Sequence, residues 1–148
     1  MLYLCEFEII EKQGMYEAYP IGLEGATCGN SLTDVAEMAA DWLKGDADLR
    51  LMLGQEIPEL PLGNTPSHDQ GRILLVAVEA NVDTIDAVSA TEAAEMLGVT
   101  RGRVSQMLKA GQLLGFTRGR NTYVSRDSLE ARLAEAPKAG RPKKLATA

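Results

Sequence analysis

Between Val88 and Leu133 the chain packs so many local start and stop signals together that few arrangements accommodate them. Ser89-Ala90-Thr91-Glu92 is a capping box, in which a hydroxyl and a carboxylate satisfy the orphan N–H groups at a helix start. Val88 stands before it, placed for a hydrophobic staple. The pattern predicts a helix over 90–97 that stops at Gly98, because a glycine there accepts left-handed backbone. After Val99, Thr100 can cap a second helix over 101–110, which stops at Gly111. Two short strands, 114–117 and 122–125, then flank the basic tip Arg118-Gly119-Arg120-Asn121. Ser125 caps a last helix through Leu133.

Two short helices meeting at a tight glycine corner form a helix-turn-helix. Small Ala94 lets the second helix cross closely, and Val99 is expected to plug the corner. Val104, Met107 and Leu108 give the second helix a buried face, which leaves Arg101, Arg103, Ser105, Gln106 and Lys109 outward. These are the donors a major groove selects: arginine binds guanine bidentately and glutamine binds adenine. With the helix start aimed at bases, Arg101 and Gln106 are assigned to base edges, and Arg103, Ser105 and Lys109 mainly to phosphates. Thr100 joins them at the helix start, and Gly102 permits close approach. Residues 88–133 resemble the excisionase/MerR-like winged helix-turn-helix family. The resemblance is carried by Glu92-Ala93-Ala94, Leu97-Gly98-Val99-Thr100, Gly111-Gln112-Leu113 and Tyr123-Val124-Ser125-Arg126-Asp127. It implies that Arg118 and Arg120 on the wing lie against DNA backbone or in the minor groove. Further on, Gly140-Arg141-Pro142-Lys143-Lys144 looks like a minimal AT-hook, whose Arg141 would enter a narrow minor groove. Ala139 stands where the full motif has a basic residue, so a solvated basic tail is the competing reading.

Charge divides the chain at the same place. Residues 1–87 hold 4 Lys/Arg against 16 Asp/Glu, a net of −12, whereas residues 88–148 hold 11 against 5, a net of +6. The basic half suits nucleic acid, and the acidic half would repel it and attract a basic partner. The expected organisation is an acidic domain at 1–80, a linker at 81–87, the winged helix-turn-helix at 88–134 and a basic, disordered tail at 135–148.

The acidic half reads as β-β-β-α-β. Tyr3, Cys5, Phe7 and Ile9 alternate with Leu4, Glu6 and Glu8, the period of a half-buried strand. Gln13-Gly14 turns the chain into a second strand over Met15–Tyr19, which Pro20 stops, and Ala26–Gly29 forms a third. Ser31 caps a helix, with Asp34 three residues on. Leu32, Val35, Ala36, Ala39 and Leu43 line one face; Gly45 invites a bend, and Leu49, Met52 and Leu53 carry the helix to Gly54. Ile57–Asp69, rich in Pro and Gly, reads as irregular loop. Arg72–Ala80 is β-branched and nearly continuously apolar, the pattern of a strand buried on both faces. The fold class is α+β, with a helix on a mainly antiparallel sheet, followed by the winged domain.

This half resembles the HicB antitoxin family over roughly residues 3–80. The matching features are Gly14-Met15-Tyr16-Glu17-Ala18-Tyr19-Pro20, Thr27-Cys28-Gly29-Asn30-Ser31-Leu32-Thr33-Asp34-Val35-Ala36 and Ile57-Pro58. Asn30 stands for the family's Asp and Asp34 for its Glu, which keeps the capping chemistry. The resemblance implies a partial ribonuclease-H-like fold without nuclease activity, which covers a small basic mRNA-cleaving toxin of the HicA type while the fused DNA-binding module represses the operon. The competing reading is a free-standing regulator whose first domain oligomerises or senses a ligand.

No catalytic motif supports an enzyme, and no cofactor or metal is expected. Glu6, Glu8 and Glu17 could evoke a two-metal site, but the alternation assigns Glu6 and Glu8 to the solvent face of the sheet. His68 sits in the Pro/Gly-rich loop with only Asp69 beside it. Trp42 and Met38 read as core or partner-facing residues. Cys5 and Cys28 read as buried free thiols. With no long apolar run and a first strand where a leader would lie, the expectation is a cytoplasmic protein without membrane attachment. Specific reading of double-stranded operator DNA by so short a helix further predicts a homodimer or higher homo-oligomer.

Overall fold

The computed structural model describes residues 1–135, and the chain divides into two compact units, Met1–Thr84 and a second beginning at Ile85. In the first, β1 (Leu2–Lys12) and β2 (Met15–Pro20) form a hairpin, β3 (Thr27–Gly29) follows, and α1 (Leu32–Met52) leads through a long loop to β4 (Arg72–Glu79). The sheet order is β3-β2-β1-β4, and all three pairings are antiparallel. Pro20 is the last residue of β2 rather than its stop. It sits opposite Phe7, and the ladder runs one step past it, where the Ile21 N–H donates to the Glu6 carbonyl at 2.8 Å.

α1 covers one face of this sheet. Ser31 Oγ accepts from the Asp34 N–H at 3.0 Å, and Asp34 returns a carboxylate to the Asn30 N–H at 2.8 Å. Val35, Ala39, Leu43 and Ala47 are buried against Tyr3, Cys5, Phe7, Ile9, Ala18 and Val76. The helix runs unbroken through Gly45, and Leu32, expected on the buried face, is exposed at its first turn. Cys5 lies in the core and burial pushes its thiol up to about 11. Cys28, by contrast, is exposed, because its neighbour Gly29 is the β3 residue that faces α1.

The loop after α1 overturns two expectations. A helix returning directly from β3 would lead to a strand parallel to β1. Instead residues 53–71 cross the sheet once more on the face away from α1, so β4 enters antiparallel to β1. In that crossing they cover β1, and Glu6 and Glu8 are buried rather than solvent-facing. Glu6 accepts from the Gly63 and Asn64 N–H groups and the Asn64 amide at 2.7–3.0 Å. Glu8 accepts from the Ser67 and His68 N–H groups at 3.0 and 2.8 Å and from the Ser67 hydroxyl at 2.8 Å, with the His68 ring at 3.1 Å. Gly71 is required here, since a Cβ would run into the Glu8 carboxylate. Conversely β4, expected to be buried on both faces, lies at the sheet edge with Leu75 54% exposed.

The second unit contains β5 (Ala87–Ser89), α2 (Ala90–Leu97), α3 (Arg101–Lys109), β6 (Gly115–Arg118), β7 (Asn121–Ser125) and α4 (Arg126–Glu135). Residues expected as linker hold a 3-10 turn, Val82–Thr84, and the start of β5. Val88 is thus a buried strand residue opposite Val124, and β5 completes the sheet β5-β7-β6. Val88, Ala93, Ala94, Val104, Met107, Leu113, Val124 and Leu129 form the core. Beyond Glu135 the expected tail, Arg141 included, lies outside the described residues. Among the described residues no helix is long and apolar enough to cross a membrane.

Candidate nucleic-acid interface

Each boundary of the helical corner has a visible cause. Ser89 Oγ accepts from the Glu92 N–H at 3.1 Å while the Glu92 carboxylate reaches back to Ser89 N, completing the capping box. α2 ends at Gly98 with φ of 70°, a left-handed conformation costly for any residue with a Cβ. The Val99 N–H then bonds to the Ala94 carbonyl at 3.0 Å. Val99 is exposed, so the corner is sealed by Ala93, Ala94 and Val104 instead of by the expected plug. Thr100 Oγ1 accepts from the Arg103 N–H at 3.1 Å, which commits the hydroxyl to capping α3.

α3 buries Val104 and Met107, and Leu108 is half-buried. Arg101, Arg103, Ser105, Gln106 and Lys109 are all exposed. At about 100° per residue, Gly102, Ser105, Gln106 and Lys109 occupy the middle of the outward face, and Arg101 and Arg103 stand on its two flanks. Two forked cations thus straddle a central strip of one glycine, two neutral donors and one lysine. No acidic residue falls in α3, so nothing on the helix opposes an approaching phosphate.

The hairpin β6–β7 forms the wing. Gly119, with φ of 64°, and Arg120 make its tip, and Arg118 and Arg120 are both exposed. Sequence reasoning missed what organises this hairpin. Phe116 and Tyr123 are cross-strand partners whose rings stack at 5.4 Å between centroids and 20° between planes. The Arg118 guanidinium lies 5.0 Å from the Tyr123 ring centre, a cation–π geometry that limits the arginine's rotamers. Folding the sequence about Gly119-Arg120 would have paired the two aromatics.

A second surface of interest is α1. Trp42 belongs to the core, with its ring edge-on to Phe7 at 6.0 Å. Met38 and Leu49 remain about 40% exposed, and Glu37 and Asp41 are exposed beside Met38. Met38 and Leu49 stand about three turns apart on α1. Glu6, Glu8 and Glu17 make no metal site: the first two are saturated by loop donors, and Glu17 bonds to Tyr19 and Lys12. Among the described residues no cluster of three or more His, Cys, Asp or Glu could hold an ion.

The family model for a helix-turn-helix domain matches residues 88–137. No curated protein and no solved structure matches the chain. The second unit is a DNA-binding helix-turn-helix domain, and the chain carries the architecture of a DNA-binding regulator.

Proposed function

We propose that the protein is an antitoxin of a two-protein toxin–antitoxin system: its acidic unit neutralises a small basic mRNA-cleaving toxin of the HicA type, and its helix-turn-helix represses the shared operon. The observation that carries the reading is the fusion of opposite surfaces. A β-β-β-α-β unit within a segment of net charge −12 precedes a helix-turn-helix whose second helix, α3, turns basic or neutral donors outward. The exposed carboxylates Glu37 and Asp41 on α1 suit a basic protein, since charge complementarity speeds encounter and rejects wrong partners.

In this reading Arg101 and Gln106 contact base edges, and Arg103, Ser105 and Lys109 contact phosphates. Arg118 and Arg120 track backbone or minor groove, Thr100 fixes the start of α3, and Arg141 adds a minor-groove contact. The protein acts as a homodimer on two half-sites in the cytoplasm, and no catalytic step is assigned to either unit. A free-standing regulator is the second reading, favoured by one feature: a groove of about 320 Å³ lined by Met1, Leu2, Leu4, Ile57, Leu60 and Leu62. Expressing the small reading frame adjacent to this gene separates the two. The antitoxin reading expects growth arrest relieved by co-expression of this chain; a harmless or missing neighbour, with promoter binding intact, favours the free-standing regulator.

A further inference from the structure

Phe116 and Tyr123 are aromatic residues placed where the core of the second unit does not need them. Along β7 the alternation turns Val124, fully buried, into the core and Tyr123 to the opposite face. Phe116, its cross-strand partner, shares that face; both residues are half-buried and their rings stack. Among the described residues the core closes without them, since the half-buried side chains packed against it are Leu97, Leu108 and Leu133. Arg118 lies two residues beyond Phe116 on β6 and so projects from the same face. It pairs with Asn121, which makes Tyr123 its diagonal neighbour, a spacing that long and aromatic side chains span. The guanidinium accordingly reaches back over the Tyr123 ring, 5.0 Å from its centre, while the residue stays exposed.

We propose that Tyr123 is a positioning residue for DNA: its ring holds Arg118 in the arrangement in which the guanidinium meets a backbone phosphate. The inference rests on the reading that the wing lies against DNA. An arginine that samples many rotamers gives up that freedom when it meets a phosphate, and a side chain held beforehand gives up less. A cation–π contact is an attraction to charge and consumes none of the guanidinium's N–H donors, which suit a phosphate acceptor. Phe116, stacked on Tyr123 at 20° between planes, steadies the ring on which the arginine rests. The attraction is to the ring, so the Tyr123 hydroxyl is not required and phenylalanine should serve in its place. Arg120, exposed at the tip, supplies the control, because its contact with DNA would not pass through the ring.

The test is a double-mutant cycle on the full chain, read at low salt by fluorescence anisotropy. The probes are a double-stranded promoter fragment and a scrambled duplex of equal length, since a phosphate contact is indifferent to sequence. Arg118→Ala should weaken both and reduce the slope of log affinity against log salt by about one. Tyr123→Leu should weaken binding by about 3- to 10-fold in the wild type and in Arg120→Ala, and by nothing further in Arg118→Ala. Tyr123→Phe should bind within about twofold of the wild type. A Tyr123→Leu loss that persists in Arg118→Ala marks a merely structural role and overturns the proposal, as does a loss in Tyr123→Phe. Should Tyr123→Leu fail to fold, the wild-type complex decides. Nuclear Overhauser contacts between the Arg118 δ-methylene and the Tyr123 ring should persist on DNA, and their disappearance there would overturn the proposal. Arg118→Ala binding like the wild type, beside a weakened Arg101→Ala, would remove the wing from the interface and the proposal with it, leaving α3 in place. A wild type that binds neither duplex would overturn the DNA reading itself.

Discussion

The first unit and the helix-turn-helix corner of the second hold themselves together in opposite ways. In residues 1–84 the decisive contacts join distant segments: Glu6 to Asn64 across 58 residues, Glu8 to His68 across 60, and Tyr3 to Asp46 across 43. In the helix-turn-helix the decisive contacts are three to five residues long, as at Ser89–Glu92, Ala94–Val99 and Thr100–Arg103. In the corner built from short contacts, the cationic side chains of α3 face outward. The unit built from distant contacts uses polar groups such as Glu6 and Glu8 as fastenings, and its exposed carboxylates far outnumber its exposed cations.

Breaking this contrast should be most visible in the cores. Leu43 and Leu129 are both fully buried, and replacing either with Ala should cost about 2–5 kcal/mol. Residue-resolved hydrogen exchange should place the loss in α1 and the sheet for Leu43→Ala, and in α4 and the wing strands for Leu129→Ala. Next in size, Arg101→Ala should weaken operator binding by about 1–3 kcal/mol and relax one base preference, while Glu37→Ala leaves it unchanged. Fluorescence anisotropy on a promoter fragment reads both.

Glu8 sharpens the contrast within the first unit. Burial raises its pKa, but the His68 N–H, the Ser67 hydroxyl and N–H, and the His68 ring outweigh burial and hold it at about 2. Its folded value lies below the ordinary carboxylate range, so the stability it contributes is present above about pH 4.3 and is lost as pH falls toward 2. Glu8→Gln turns one acceptor into a donor and should cost about 1–3 kcal/mol, flattening the acid limb of an unfolding-against-pH curve. The smallest effect belongs to the solvent-exposed cap. Ser89→Ala should cost about 1 kcal/mol and Ser89→Gly only a few tenths, measured by urea unfolding.

The same contrast explains what could be read from the chain. Ser31, Ser89, Gly98 and Thr100 announce helix ends because their chemistry acts within four residues, and α2 emerges at the residues expected. Val104 and Met107 were identifiable as a buried face for the same reason. Glu6 and Glu8 were misread because period-2 alternation records which face a side chain takes, not what later covers that face. The segment that covers them is irregular and carries no periodicity. β4 was misread in the complementary way, since apolar content records a need for burial and not the place where it is met. β5 escaped notice because three residues that also precede a helix cap are too short to show alternation.

The account rests on a division of labour in which the acidic unit takes a basic protein and the helix-turn-helix takes DNA. The most direct test is to tag this chain, express it from its native locus and identify what elutes with it. The account predicts a stoichiometric small basic protein whose growth arrest this chain relieves. Elution of the chain alone, with operator binding intact, would contradict it.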